Sequence, residues 1–303
     1  MAWRGVHISQ AAKIGLKQSQ LLVAMNDNEV TIPVEDISFL VLDTPQCTLT
    51  GAILAELANA NVVIIQSDDK HHPTMMGLPF HGHHKQAEIA HLQIGVTEPF
   101  KKRAWQAVIQ AKINNQAAHL LNLGRDAGAL PAMIGRVKSG DTQNHEAQAA
   151  RIYWGKLFYN YRRADDSDLR NSMLNYGYAI VRALLARTIT ASGLIPAFGI
   201  FHNSISNAFN LADDLIEPFR PTVDALVFRL SAELTDEKEL TLDHRRTLVG
   251  IMNESIRLND EIMTLQAATE QCAQSLVSAM RHKNYEILKL PIFENNPQAA
   301  AAV

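Results

Sequence analysis

One histidine and two carboxylates in the second half of the chain have the residue types and spacing of a divalent-cation site. His202 follows a segment containing glycine and proline, and Asp214 and Glu217 come shortly after it. Because Asp214 and Glu217 are three residues apart, a helix would place both on one face. Oxygen ligands suit Mg²⁺ and Mn²⁺, and one imidazole favours Mn²⁺. Glu146, in the stretch NHEAQAARIYW, is the best candidate for a further anionic ligand.

The elements that would position these residues are predicted to be a helix, a loop and a second helix. Apolar residues recur at helical spacing over Ser172–Ala191, and Asn171 is the predicted N-cap. Gly193 and Pro196 end the first helix and open a loop. That loop delivers His202, and the second helix carries the two carboxylates.

The spacing of the carboxylates alone leaves an alternative open, because acidic pairs at i,i+3 are commonly a solvated helix face. The local backbone favours a special role for Glu217. Pro218 lacks an amide hydrogen, and its ring clashes with the carbonyl of Asp214, four residues back. We therefore expect the helix to kink or restart here, either to aim Glu217 or because Pro218 begins the next helix.

Length and composition indicate a globular protein of two domains. The chain has 303 residues, 47% of them hydrophobic, which excludes wholesale disorder. It has no apolar run of about 18 residues, and the N-terminus MAWRGVHISQ has no signal-peptide core. The two cysteines, Cys47 and Cys272, are far apart, as expected in a reducing compartment. We expect a cytoplasmic protein without membrane association.

Charge is distributed unevenly along the chain. The net charge is −3 overall, but it is −5 over residues 1–98, +8 over 99–190 and −6 over 213–303. A basic middle segment between acidic ends is typical of a phosphate-binding surface. Solvated helix faces are the alternative explanation.

Residues 1–80 predict a small, mostly-β domain with one helix. Short runs rich in Val, Ile and Leu are separated by turn residues. The predicted strands are Arg4–Ile8, Lys13–Lys17, Gln20–Met25, Glu29–Val34, Ile37–Leu42 and Asn61–Ile65, and the predicted helix is Thr48–Ala60. The segment has no nucleotide-binding or C-x-x-C motif, so packing and association are its expected roles.

Residues 81–303 predict a larger, all-α domain, which makes the fold class α+β. Residues 66–87 form the expected linker, whose five histidines match no zinc signature and are interpreted as polar loop residues. The predicted helices are Gln86–Val96, Pro99–Asn122, Leu130–Ser139, Thr142–Phe158, Ser172–Ala191, Thr222–Leu234, Thr241–Leu258 and Asp260–Met280. Lys112 is assigned to the polar face of the second of these helices, together with Lys101, Lys102 and Arg103.

Three sequence runs resemble the CRISPR-associated integrase that captures new spacers. They are LNYGYA (Leu174–Ala179), GLIPAFGIFH (Gly193–His202) and DLIEPFRP (Asp214–Pro221). Their order and separations are highly specific, and Glu146 with Ala150 and Tyr153 matches the upstream helix motif of the family. The wording is closest to the type II subgroup.

The resemblance implies a metal-dependent DNA endonuclease and integrase. Glu146, His202 and Glu217 would be the catalytic residues and would hold Mg²⁺ or Mn²⁺, with Asp214 as a further or water-mediated ligand. Glu217 is favoured over Asp214 as the direct ligand. The implied reaction joins the 3′-hydroxyl ends of protospacer DNA to the CRISPR array by phosphoryl transfer.

The resemblance also implies several partners. These are double-stranded DNA (protospacer and repeat), a second copy of the chain that forms a homodimer through the N-terminal domain, a small ferredoxin-like partner in a heterohexamer, and the RNA-guided effector nuclease in protospacer selection. Polar and basic residues around the motifs are the predicted DNA contacts. They are Arg162, Arg163, Arg170, Asn171, Asn175, Tyr176, Arg182 and Arg220.

Two other functions remain open on the residues alone. A metal phosphohydrolase for small molecules would cleave nucleotides in preference to DNA. A non-enzymatic DNA-binding or scaffold protein would tolerate alanine at Glu146, His202 or Glu217.

Overall fold

Two four-stranded sheets form the N-terminal part of the protein. The computed structural model describes residues 2–26, 28–80, 82–234 and 237–293. The strands are β1 (Arg4–Ile8), β2 (Ala12–Lys17), β3 (Gln20–Met25), β4 (Asn28–Pro33), β5 (Ile37–Leu42), β6 (Cys47–Leu49), β7 (Val63–Ser67) and β8 (Pro73–Gly77). One sheet has the order β1-β5-β7-β8 and the other β4-β3-β2-β6. Helix α1 (Gly51–Asn59) begins after Thr50, whose hydroxyl accepts from the amide of Ile53.

The middle strands of the first sheet, β5 and β7, are buried on both faces because they lie between two cores. Every residue of β5 is buried, as expected for a strand with parallel neighbours on both sides. Leu40 and Leu42 face the second sheet, where they pack with Leu21 and Val23. The intervening side chains join the core of the helical part instead. They are Phe39, Val41, Val63 and Ile65.

The strand predictions are confirmed, whereas the expected linker is partly wrong. β1, β3 and β5 have the predicted bounds, and β2, β4 and β7 begin or end within two residues of them. The segment 66–87 contains β8, which pairs antiparallel with β7 (Ile65 opposite Met76). Its alternation was obscured by the prolines and histidines around it. His81 lies outside the described residues.

The helical part is built around two long helices, α3 and α6. The helices are α2 (Gln86–Ile94), α3 (Glu98–Asn122), α4 (Leu130–Ile134), α5 (His145–Leu157), α6 (Leu169–Ala191), α7 (Asn210–Leu215), α8 (Arg220–Ser231), α9 (Leu242–Val249) and α10 (Leu265–Arg281). The predicted N-cap Asn171 is wrong, because the N-cap of α6 is Asp168, whose side chain accepts from the amide of Arg170. Asn171 lies inside α6 and donates to loop carbonyls.

The prediction of an all-α region is also wrong, because residues 81–293 include a three-stranded sheet of order β10-β9-β11. Its strands are β9 (Ser255–Leu258), β10 (Glu261–Thr264) and β11 (Pro291–Ile292). Strands β9 and β10 form a hairpin in which Leu258 pairs with Glu261. Asn259 turns it in the left-handed region (φ 54°), which asparagine tolerates. The fold is therefore α+β in both halves, with a helix-rich second half.

Asp43, at the end of β5, fastens the first sheet to α9. Its buried carboxylate accepts from Arg245 Nε at 2.6 Å and contacts His7 Nε2 at 3.1 Å and His71 Nδ1 at 2.8 Å. Burial opposes the charge, but these three partners bring the pKa of Asp43 down to about 2. The ion pair between Asp43 and Arg245 joins residues that are 202 positions apart in the sequence.

The second helix of the predicted helix–loop–helix stops and restarts at Pro218, as expected. Helix α7 ends at Leu215, a 3₁₀ turn covers Glu217–Phe219, and α8 starts at Arg220. Asp214 and Glu217 therefore lie on different elements. In the part of the chain that the structure describes, no helix is both long enough and apolar enough to span a membrane.

Candidate active site

His202 lies on the loop between α6 and α7, and Asp214 holds it there. The fully buried carboxylate of Asp214 accepts from the backbone amides of Ile200 (2.5 Å), Phe201 (2.9 Å) and His202 (3.1 Å). It also contacts His202 Nδ1 at 2.7 Å. Gly199 permits this close approach, because a Cβ there would lie 2.2 Å from the carbonyl oxygen of His202. Asp214 therefore fixes both the loop backbone and the imidazole.

The imidazole of His202 is directed by this contact and remains accessible. Its side chain is 43% exposed, and Trp105 of α3 meets the ring edge-on at 5.6 Å. Phe201 stacks on Trp105 at 4.3 Å. Since Nδ1 faces Asp214, Nε2 is the nitrogen that can bind a ligand. The contact with Asp214 raises the pKa of His202 against the effect of burial, and Glu217 and Glu146 add to the rise.

Glu217 and Glu146 are bridged by the ammonium group of Lys112. Lys112 Nζ donates to Glu146 Oε1 at 2.7 Å and forms a closer ion pair with Glu217 Oε2. Arg220 Nε donates to the other oxygen of Glu217 at 2.8 Å. Burial would raise the pKa of Glu217, but Lys112 and Arg220 lower it to about 2. Glu217 is therefore ionised, although it is almost completely buried.

Local structure places Glu146 in the first turn of α5. Asp141 accepts from the amides of His145 (2.9 Å) and Glu146 (3.0 Å), and Asn144 caps the helix in the left-handed region. The side chain of Glu146 is 28% exposed. Unlike Glu217, it borders solvent.

A cavity of about 220 Å³ lies over these carboxylates. The residues that line it are Lys112, Gln116, Glu146, Ala150, Trp154, Arg163, Tyr178, Glu217, Arg220 and Asp224. Asp224 is buried beneath it and accepts from the hydroxyl of Tyr178. Burial raises the pKa of Asp224 to about 7, against the opposing effects of Tyr178 and Tyr153. The cavity thus combines cationic groups with one carboxyl that titrates near neutrality.

The donor atoms at the site are of the types that a divalent cation prefers. Glu146 and Glu217 offer carboxylate oxygens and His202 offers Nε2, a combination that suits Mn²⁺ or Mg²⁺. Oε2 of Glu217 is buried, and the ammonium of Lys112 is its ion-pair partner. Among the described residues, no three His, Cys, Asp or Glu side chains are close enough together to hold an ion. The ammonium of Lys112 lies between the two glutamates.

The family model described as CRISPR associated protein Cas1 matches residues 6–263.

The chain belongs to the Cas1 family.

A curated relative supports this assignment, and two solved structures share the fold. The chain is 36% identical over 293 residues to "CRISPR-associated endonuclease Cas1" of Neisseria meningitidis serogroup C, and the alignment covers 96% of each. Its fold resembles a structure described as a casposase bound to integration product, with a TM-score of 0.76, 20% identity and coverage of 94% of this chain and 93% of that one. It also resembles a chain of a Cas6-RT-Cas1–Cas2 complex, with a TM-score of 0.74, 19% identity and coverage of 94% and 36%.

Within this Cas1 fold, the predicted DNA-contacting residues fall into two groups. Arg163 and Arg220 line the cavity, Arg163 also binds the exposed Asn175 at 2.5 Å, and Arg162 is exposed nearby in the chain. The others make contacts within the protein. Arg170 pairs with Asp168, Arg182 pairs with Asp213, and Asn171 is buried among loop carbonyls.

Tyr176 lies where it cannot support the predicted contact. It is 2% exposed. Burial is the main cause that raises the pKa of its hydroxyl; Asp43 adds to the rise and Arg245 opposes it. Tyr178, two residues on, lines the cavity instead. Residues i and i+2 point to different sides of a helix, so only one of the two tyrosines can reach the site.

Sequence reasoning missed Lys112, Tyr178 and Asp224 as site residues. Lys112 was assigned to the polar face of α3, yet it is 7% exposed. It is spaced seven residues from Trp105 and four from Val108, so the helical period places it on the apolar stripe. That spacing was a signal that could have identified it.

Proposed function

We propose that this member of the Cas1 family is a metal-dependent DNA strand-transferase and endonuclease that inserts protospacer DNA into a CRISPR array. The observation that carries the proposal is the pair Glu146 and Glu217 at one cavity, near enough to His202, which Asp214 holds, for both carboxylates to raise the pKa of its imidazole. The 36% identity to a protein named CRISPR-associated endonuclease supports DNA as the substrate.

The residues of the site have separate roles in this proposal. Glu146, Glu217 and Nε2 of His202 bind Mg²⁺ or Mn²⁺. Asp214 is a positioning residue, because the loop amides and His202 Nδ1 already occupy its two oxygens. The bound cation supplies Lewis-acid activation of a phosphodiester and stabilisation of the leaving 3′-oxygen.

The nucleophile decides between the two reactions of such a site. When a DNA 3′-hydroxyl attacks the phosphorus, the O–P bond that forms replaces the one to the leaving 3′-oxygen, and the strand is transferred. When water attacks, the same bond breaks and the strand is cleaved. Arg163 and Arg220 in the cavity, together with Arg162, are placed to bind phosphate. Affinity should therefore fall steeply with salt concentration.

We further propose that the chain acts in an assembly. A structure with the same fold is part of a complex that contains Cas2, and this supports a Cas2-type, ferredoxin-like partner and a heterohexamer. The second sheet has solvent-facing apolar side chains, Leu16 on β2 and Val30 on the edge strand β4, which supports a homodimer through this part. Involvement of the RNA-guided effector nuclease rests on the type II-like wording of the motifs.

The decisive experiment is cleavage of a labelled branched DNA by the purified protein with Mn²⁺, with Mg²⁺ and with a chelator. We expect metal-dependent cleavage that is lost in His202→Ala. His282→Ala is the matched control, because His282 is exposed on the C-cap of α10. Activity that survives the chelator or His202→Ala would refute the site. Cleavage alone would leave strand transfer to be tested with the Cas2-type partner and a CRISPR repeat.

A further inference from the structure

Lys112 has a position that the proposed chemistry does not explain. It is a buried lysine on α3, whereas Lys102 on the same helix is exposed. Burying an ammonium group is costly unless it is paired, and Lys112 is paired with two acids. Both of them, Glu146 and Glu217, are among the cation ligands proposed above.

The charges of this cluster are balanced without any added ion. The carboxylates of Glu146 and Glu217 carry two negative charges, and Lys112 and Arg220 carry two positive ones. A divalent cation added to this arrangement would leave a positive excess in a largely buried site. One of the resident cations must therefore lose its contact, or a phosphate must enter with the ion.

The two resident cations differ in their freedom to move. Arg220 lies over the ring of Tyr178 at 4.5 Å, and its Nε is bonded to Glu217. Lys112 contacts the remaining oxygen of Glu217 and one oxygen of Glu146 through the end of a flexible four-carbon stem. A Mg²⁺ ion binds carboxylate oxygens at about 2.0–2.1 Å. The ion and the ammonium of Lys112 therefore compete for the Glu217 oxygen that Arg220 does not hold. Lys112 is the group that can release that oxygen.

We infer that Lys112 is a built-in counter-cation: its ammonium occupies the place between Glu146 and Glu217 when no divalent cation is bound and leaves that place when one binds. This inference rests on the proposed function. It makes Lys112 a positioning residue that keeps the two ligands together in the metal-free protein, and a competitor that weakens metal binding. The released ammonium remains at the cavity, beside Arg163 and Arg220, where a DNA phosphate would attract it.

The test is isothermal titration of the full chain with Mn²⁺, together with thermal unfolding in EDTA and in Mn²⁺. Lys112→Met removes the charge and keeps the length of the side chain. We expect it to unfold at a lower temperature in EDTA, because the two carboxylates then repel each other, and to bind Mn²⁺ about tenfold more tightly or better. The control Lys102→Met should bind within about twofold of the unaltered protein.

Lys112→Arg provides a second variant that predicts the opposite result. Its guanidinium cannot lose its charge and can bind both carboxylates with a fixed fork, so Mn²⁺ binding should weaken by about tenfold or more. Equal or weaker binding by Lys112→Met would overturn the inference. If that variant does not fold in either buffer, unchanged or tighter binding by Lys112→Arg would overturn it.

Failure of the inference is distinguishable from failure of the proposed function. Absence of Mn²⁺ binding by the unaltered protein, or binding by Glu217→Gln that equals it, would refute the metal site whatever the lysine variants do. Normal Mn²⁺ binding that Glu217→Gln abolishes, with no change in either lysine variant, would refute only the role of Lys112.

Discussion

The two acids of the DLIEPFRP motif are three residues apart, yet they are held in opposite ways. Asp214 is bound by three backbone amides and an imidazole. All of these groups belong to the loop segment 200–202. Glu217 is bound by the side chains of Lys112 and Arg220, which come from other elements. The first arrangement is rigid, because it ties one carboxylate to the loop backbone. The second is adaptable, because it consists of ion pairs between side chains.

The largest effect is expected from Asp214→Asn, which tests the rigid arrangement. The amide replaces one acceptor oxygen with an NH₂ group that faces donors, leaving buried backbone amides without partners. We expect a loss of about 3 kcal/mol in the free energy of unfolding, measured by urea denaturation, together with loss of DNA cleavage. Asp243→Asn, at an exposed position on α9, should cost less than about 0.5 kcal/mol. A stable, active Asp214→Asn protein would show that the loop does not depend on this carboxylate.

A smaller effect should follow from Gly199→Ala, which disturbs the same loop by volume alone. The new methyl group would lie 2.2 Å from the carbonyl oxygen of His202 and 2.7 Å from Asp214 Oδ2, so the loop must shift. We expect cleavage to fall by about a hundredfold, with a loss of about 1–3 kcal/mol in stability. Gly155→Ala is the control, because a Cβ there meets no atom within 4 Å; within helix α5 it should stabilise the protein by about 0.5–1 kcal/mol. Equal activity of the two variants would mean that the loop is not rigid.

A further effect concerns Asp224, the buried carboxyl beneath the cavity, and it depends on pH. The pKa of Asp224 is raised from 3.8 to about 7 in the folded protein, chiefly by burial. The folded state therefore binds more protons than the unfolded state between these values, and this contribution to stability is lost as the pH rises through that range. Asp224→Asn should remove this loss, so its stability relative to the unaltered protein should be higher at about pH 8 than at about pH 5.

Urea midpoints at the two pH values measure this difference. Asp166→Asn, at an exposed loop position, is the control and should give the same difference from the unaltered protein at both. If Asp224→Asn behaves like that control, the carboxyl of Asp224 does not titrate near neutrality.

Local patterns predicted strands β1–β5 and β7 to within two residues, and they predicted Pro218 as the point where the second helix breaks. They failed where contacts between residues that are distant in sequence determine the structure. Lys112 forms ion pairs with Glu146, 34 residues away, and with Glu217, which is farther away in the sequence. No local sequence pattern predicts such partners. The hairpin at Asn259 was missed because its short strands adjoin helices on both sides. Tyr176 was named as a DNA contact although it is buried, and Tyr178 of the same motif lines the cavity. Which residues of α6 face the cavity depends on how the helix packs, and the motif alone does not give this.

Strand β5 contributes side chains to two cores, and this affects the cooperativity of thermal unfolding. Strand β5 sends Phe39 and Val41 into the helical core and Leu40 and Leu42 into the inter-sheet core. A chain that ends after residue 80 would expose Phe39 and Val41, together with Val63 and Ile65 on β7, to water as an apolar surface prone to aggregation. We therefore expect the N-terminal and helical parts to unfold together, in a single calorimetric transition.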